Sequence, residues 1–227
     1  MTTFFRDRGL SLAAVVLILL AISVAQGAIS HTLAFGPLWG FLPRDPSAIA
    51  TVLLTLRSGL VAVLVLLWIL KRKHALFRAI IVANTLFTGA LMVHTNALIA
   101  VLFGSASEAL HTLILDVTLM SVANILIFSI WYWIIDPPGV EEISRADEPW
   151  DFLFPQRGNS LPHYASWAPR YSDYLFMAFT TSFAFTPTDT PPLTRRAKML
   201  MLLQGAISVV TLTGIAGGVI NILAGGK

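Results

Sequence analysis

Six side chains bearing oxygen crowd into ten residues near the end of the chain: the hydroxyls of Thr180, Thr181, Ser182, Thr186 and Thr188, and the carboxylate of Asp189. Oxygens at this density can stand in for part of a cation's hydration shell, and an acidic ring favours cations over anions. A second set of residues able to do chemistry, Arg57, His94 and Asp116, falls inside long apolar runs. There a charge costs roughly 2.5–3.5 kcal/mol even on the gentler insertion scales, so each needs a partner. His94 can change charge near neutral pH, which makes the trio either an ion or proton relay or a structural pair with a hydrogen-bonded histidine beside it. The sequence has no cysteine, no His-Glu-x-x-His, no Gly-x-Ser-x-Gly and no paired carboxylates within its apolar runs. It therefore predicts no enzyme, no cofactor, no metal site and no disulfide.

The elements that position these residues follow from composition. Hydrophobic residues make up 56% of the 227 and charged residues 12%, where a soluble domain carries about 25% charged. The mean hydropathy is +0.76. About 20 apolar residues cross the hydrocarbon, and five segments qualify: Leu10 to His31, Ile49 to Leu70, Leu76 to Phe103, Leu110 to Ile135 and Ala197 to Leu223. The first also fits a signal peptide, since Arg6 and Arg8 precede its apolar core and Ser23-Val-Ala25 suits a signal peptidase. Residues 136–171 have another texture: six prolines, a run of acids and the aromatics Trp150, Tyr164 and Trp167. That texture predicts a surface loop with no long helix. Ser172 and Asp173 offer an N-cap for a short helix over Tyr174 to Phe183, which Pro187, Pro191 and Pro192 stop. Too short to span, it must be re-entrant or interfacial. The expected fold is all-α and transmembrane, with about five spanning helices plus a short re-entrant pore-like helix. It divides into a four-helix bundle over 1–135, the loop over 136–171, and a pore-loop-like helix, turn and final span over 172–227.

Spacing adds two helical faces. Asn84, Thr88 and Thr95 form a polar stripe of the kind that joins helices in membranes. Gly214, Gly217, Gly218 and Asn221 form a face on the last span that permits close packing or, in a channel, a hinge. Arg57 and Asp116 lie at similar depth on spans that run the same way, and His94 reaches that layer from the opposed span, so one cluster of three is expected.

Laid without gaps on a potassium-channel pore module, residues Phe179 to Thr194 keep its spacing, and Phe179, Thr181, Asp189, Pro192 and Thr194 match. Gln204-Gly205 falls where the inner helix of such channels often carries Glu-Gly. The segment thus resembles a pore loop over about fifty residues. It departs at the filter, where Thr186-Pro187-Thr188 replaces Gly-Tyr-Gly. Glycine permits the left-handed angles that aim successive carbonyls at the axis, whereas proline fixes its own φ and extends the residue before it. The oxygens left to line a pore are side-chain ones. The whole chain also resembles an uncharacterised family of bacterial membrane proteins through Asn124 to Trp133, Asp151 to Pro155 and Ala184 to Pro191, a likeness that implies no activity.

Basic residues cluster at Arg6 and Arg8, at Lys71, Arg72, Lys73 and Arg78, and at Arg195, Arg196 and Lys198. The positive-inside rule puts all three clusters, the 136–171 loop and the pore-like turn on the cytoplasmic side, the reverse of a potassium channel. Taken together, these features predict a multi-pass protein of a bacterial inner membrane, homo-oligomeric, with the lipid bilayer and monovalent cations as partners and no nucleic acid. The expected activity is a weakly selective cation channel. A non-conducting scaffold or signalling partner, and a proton-coupled carrier using His94 and Asp116, are the alternatives.

Overall fold

A computed structural model of the chain describes residues 10–29, 46–103, 110–136, 150–157, 161–164, 167–184 and 189–223. The regular secondary structure among the described residues is helical, apart from one isolated bridge between Phe152 and Pro192. The helices are α1 (Leu10–Ala28), α2 (Pro46–Ile69), α3 (Lys73–Phe103), α4 (Leu110–Ile135), α5 (Tyr171–Ala184) and α6 (Arg195–Leu223), with a 3₁₀ turn at Pro162–Tyr164. Three of them, α3, α4 and α6, are long and apolar enough to cross a membrane, and α1 and α2 hold shorter apolar stretches.

Why these segments are helices is plain from their ends. Pro46 opens α2 at the first helical position, where its missing N–H costs nothing. Thr194 caps α6 by accepting a hydrogen bond from the Ala197 N–H at 3.3 Å. At the other end of α2, the Arg72 N–H reaches the Leu67 carbonyl and the Lys71 N–H that of Trp68, both at 3.1 Å. This is the six-to-one and five-to-two pairing that closes a helix on a left-handed residue. That residue is Lys71, at φ 55°, where glycine would be cheaper.

The hub is α4. Its most apolar window is 61% buried inside the chain, against 33% for α3 and α6, and it touches α1, α3, α5 and α6. A run of ring contacts carries the core out of the helices and into the loop: Phe77 with Trp133, Tyr132 with Phe152, and Phe154 with both Trp167 and Tyr174. Phe152 and Tyr132 are fully buried. The segment expected to be a surface loop therefore differs over residues 150–157, where an apolar alternation Phe152, Phe154 plants two rings in the core. Its backbone pairs with the chain just before α6: the Leu153 N–H donates to the Pro191 carbonyl at 3.1 Å and the Leu193 N–H to that of Asp151 at 2.8 Å. Residues 190–193 are thus a strap laid across the buried loop segment.

Helix α5 begins three residues before the expected start. Asp173 acts from inside its first turn, accepting from the Arg170 N–H at 2.6 Å, as a capping-box acid does.

Candidate functional site

Around α5 the chain builds a polar interface with α4 and α6 and an ionic latch above it. The latch has two carboxylates. Asp136, the residue after α4, is buried and accepts from the backbone N–H groups of Asp151 and Phe152 at 3.1 and 3.3 Å, and from the Tyr174 hydroxyl at 2.7 Å. Arg157 closes it with two bonds, at 3.2 and 2.7 Å. The guanidinium also lies over the Trp150 and Phe154 rings, 5.0 and 5.3 Å from their centroids. Burial, reinforced by the Asp136 carboxylate, holds the Tyr174 phenol well above its ordinary pKa, so it stays a donor. Asp151, also fully buried, receives Arg196 through Nε at 2.7 Å and Nη2 at 2.5 Å, and the Thr194 hydroxyl. One acid ties α4 to the loop and α5; the other ties the loop to α6.

Below the latch, Gln204 of α6 is buried completely. Its Nε2 donates to the Ala178 carbonyl and to Ser182 Oγ, both at 2.7 Å, and its Oε1 accepts from the Tyr132 hydroxyl. Asn124 of α4 donates to the Gln204 carbonyl at 3.3 Å and to Ser208 Oγ at 2.9 Å. Gln204 lies nine residues into α6, about 13 Å along the axis at 1.5 Å per residue. The path of α5 follows: Tyr174 meets Asp136 at the end of α4, Ser182 meets Gln204 deep along α6, and by Thr190–Leu193 the chain is back at the start of α6.

The expected pore-loop residues divide. Thr181 and Ser182 are buried, the first donating to the Met177 carbonyl at 2.7 Å and the second bound to Gln204. Thr180 is half-buried and bonds back to its own helix. Asp189 is exposed and accepts from the Thr190 hydroxyl at 3.2 Å. Thr186, Pro187 and Thr188 lie outside the described residues.

The trio expected at one layer lies on three helices, Arg57 on α2, His94 on α3 and Asp116 on α4. His94 is buried on α3 within electrostatic reach of Arg57. The guanidinium itself lies against α1, with Nη1 3.4 Å from where a side chain at Gly27 would begin. Asp116 is buried on α4. The ion pairs shown among the described residues, Arg157–Asp136 and Arg196–Asp151, hold the loop. The polar stripe on α3 joins α4 at two of its three members: Asn84 donates to the Ile127 carbonyl at 3.2 Å, and Trp131 donates to Thr88 Oγ1 at 2.9 Å. Thr95 bonds back to Leu91.

On the glycine face of α6, a side chain at Gly214 would begin 3.2 Å from Leu98 and 3.3 Å from Val117, and one at Gly217 would begin 3.9 Å from Leu102. Gly214 is where α6 closes on α3 and α4; the side-chain positions of Gly218 and Asn221 lie outside the described residues. Gly214→Leu is expected to destabilise the protein by roughly 1–3 kcal/mol through overpacking. Thermal unfolding in detergent checks this, and an unchanged midpoint would mean that α6 stands off from its neighbours.

Residues missed from sequence are the latch pairs, Tyr174 and Gln204 as a donor. The signal was faint: an acid between two aromatics, Trp-Asp-Phe at 150–152, and an acid ending an apolar run, Ile-Ile-Asp at 134–136. Compared with protein-family models, with curated proteins and with solved structures, the chain matches none. The likeness to a potassium-channel pore loop rests on the residues that carry it.

Proposed function

We infer that the chain is a multi-pass membrane protein of a bacterial inner membrane, in which α5, the residues after it and α6 form a re-entrant pore-like module. In a homo-oligomer that module passes monovalent cations with weak selectivity. One observation carries the reading: a helix of 14 residues enters beside Asp136, ends beside Gln204, and the chain is back at the start of α6 within a few residues. The negative end of its dipole favours a cation at the turn. Since Thr181 and Ser182 are used inside the protein, selectivity falls to residues 186–189, with Asp189 supplying charge. Phe176, Phe179 and Phe183, each about half exposed along one side of α5, are the face that a neighbouring copy covers.

Purified protein in liposomes is expected to pass potassium and sodium at similar rates, with Asp189→Asn lowering flux severalfold. Flux that ignores Asp189 removes the carboxylate from the conduction path. A second reading, a non-conducting scaffold, is favoured by the same bonding of Thr181 and Ser182, which satisfies α5 within one chain. It expects liposomes that stay tight with correctly inserted protein.

A further inference from the structure

We propose that the α2–α3 hairpin binds the headgroup of an anionic phospholipid, with Lys71, Arg72 and Arg78 around the phosphate and the outer side of α3 along an acyl chain. The proposal rests on reading α2 and α3 as membrane helices and is independent of conduction.

The first observation is backbone. Lys71 occupies the left-handed position that closes α2, a place where glycine relieves the crowding of a side chain against the backbone. A lysine held there keeps a cation at the tip of the hairpin at a conformational cost, and strain of this sort collects at binding positions. The second is charge. Lys71, Arg72, His74 and Arg78 are all exposed, and Arg78 stands one helical turn from His74 on the same side of α3.

The third is level. Phe77 packs on Trp133 with centroids 6.5 Å apart, and Arg196 reaches the Ile135 carbonyl at 3.3 Å. The hairpin, the end of α4 and the start of α6 therefore share one height. Trp68, Trp133, Trp150 and Trp167 gather there through these same elements and the latched loop, while the Trp131 indole turns down to Thr88, deeper along α3. Tryptophan prefers the boundary between headgroups and hydrocarbon, so the cations sit where phosphates lie.

The fourth observation selects a lipid over a soluble anion. Below Arg78 the same side of α3 presents Val82, Leu86 and Gly89, the first two more than half exposed. A side chain at Gly89 would have nothing within 4 Å. A notch in an apolar stripe, beneath a group of cations, fits one acyl chain under one phosphate.

The test is native mass spectrometry of the full chain, released from micelles doped with equal phosphatidylglycerol and phosphatidylcholine. Wild type is expected to retain phosphatidylglycerol preferentially. Arg72→Gln combined with Arg78→Gln should weaken that retention about 25-fold, at about fivefold for each surface cation. Arg195→Gln with Lys198→Gln, exposed cations on α6 outside the hairpin, should weaken it less than the Arg72, Arg78 pair does. Equal retention of phosphatidylglycerol by wild type and the Arg72, Arg78 variant overturns the proposal. Stripping of the lipid by excess inorganic phosphate also overturns it, because the acyl stripe would then contribute nothing. If the double variant does not fold, Lys71→Gly relieves the left-handed residue while removing one cation. It should keep the thermal midpoint and lose about fivefold in phosphatidylglycerol retention, and unchanged retention sinks the idea. A wild type that holds neither lipid counts against the membrane reading of α2 and α3 as well.

Discussion

Asp136→Ala is expected to lower the stability of the folded protein by roughly 3–5 kcal/mol, the range seen when one partner of a buried ion pair is removed. The size follows from what is left behind. The Arg157 side chain is 5% exposed and Asp136 is its carboxylate at 2.7 Å, so truncation strands a guanidinium in a site walled by Trp150 and Phe154. It also removes the acceptor for two backbone N–H groups and the Tyr174 hydroxyl. Arg157→Leu in the same background removes the stranded charge, and the double variant should recover part of the loss. The coupling in that cycle, rather than either single value, measures the pair. Thermal unfolding in detergent reads the global effect. Hydrogen exchange at 150–157 reads the local one, with protection lost there first because Asp136 holds that segment directly. A single variant within about 1 kcal/mol of wild type would place the pair among weakly coupled surface bridges and leave the ring contacts, the Asp151–Arg196 pair and the backbone bonds to residues 191–193 to anchor the loop.

The latch also marks the limit of what the residues alone disclose. Membrane-length helices are written in composition, and α4 over Leu110–Ile135 has the expected ends because apolar runs stop where Asp136 and the prolines begin. The short helix was legible from the prolines that follow it and from Asp173 near its start. Its partners were not. Tyr174 pairs with a carboxylate 38 residues away, and Arg196 with one 45 residues away. No period of 3.6 or 2 encodes such separations. Acids among prolines read as a solvated loop because burial of a carboxylate depends on an arginine arriving from elsewhere. The hydroxyls near the end of α5 were visible as a group, but whether each faces a pore or a neighbouring helix depends on the helix's rotation. That rotation is set by Gln204, a residue whose polar character inside an apolar run was the only hint.

Gln204→Leu is therefore the second variant with a large expected effect. It conserves volume and leaves two consequences: the buried Tyr132 hydroxyl loses its Gln204 acceptor, and the Ala178 carbonyl and Ser182 hydroxyl lose their donor. Buried groups deprived of partners cost about 1–3 kcal/mol each, so a loss on the order of 3 kcal/mol is expected after neighbouring hydroxyls readjust. The effect should concentrate on α5, because α4 and α6 keep a second bond through Asn124 and Ser208. The chain has no cysteine, so Ala178→Cys supplies one buried thiol on α5, and its maleimide labelling rate reports how often α5 leaves the bundle. A loss of that order raises the labelling rate about a hundredfold if opening is local. Gln204→Glu separates shape from hydrogen bonding. Ionised, it still accepts from Tyr132 but cannot donate to the Ala178 carbonyl, and its burial adds a desolvation cost that leucine avoids. Faster labelling in both variants, with Glu at least equal to Leu, assigns the hold on α5 to donation by the amide. Slow labelling in Gln204→Leu alone would assign it to packing, and the α5 hydroxyls would then be free to turn toward a pore in an assembled protein.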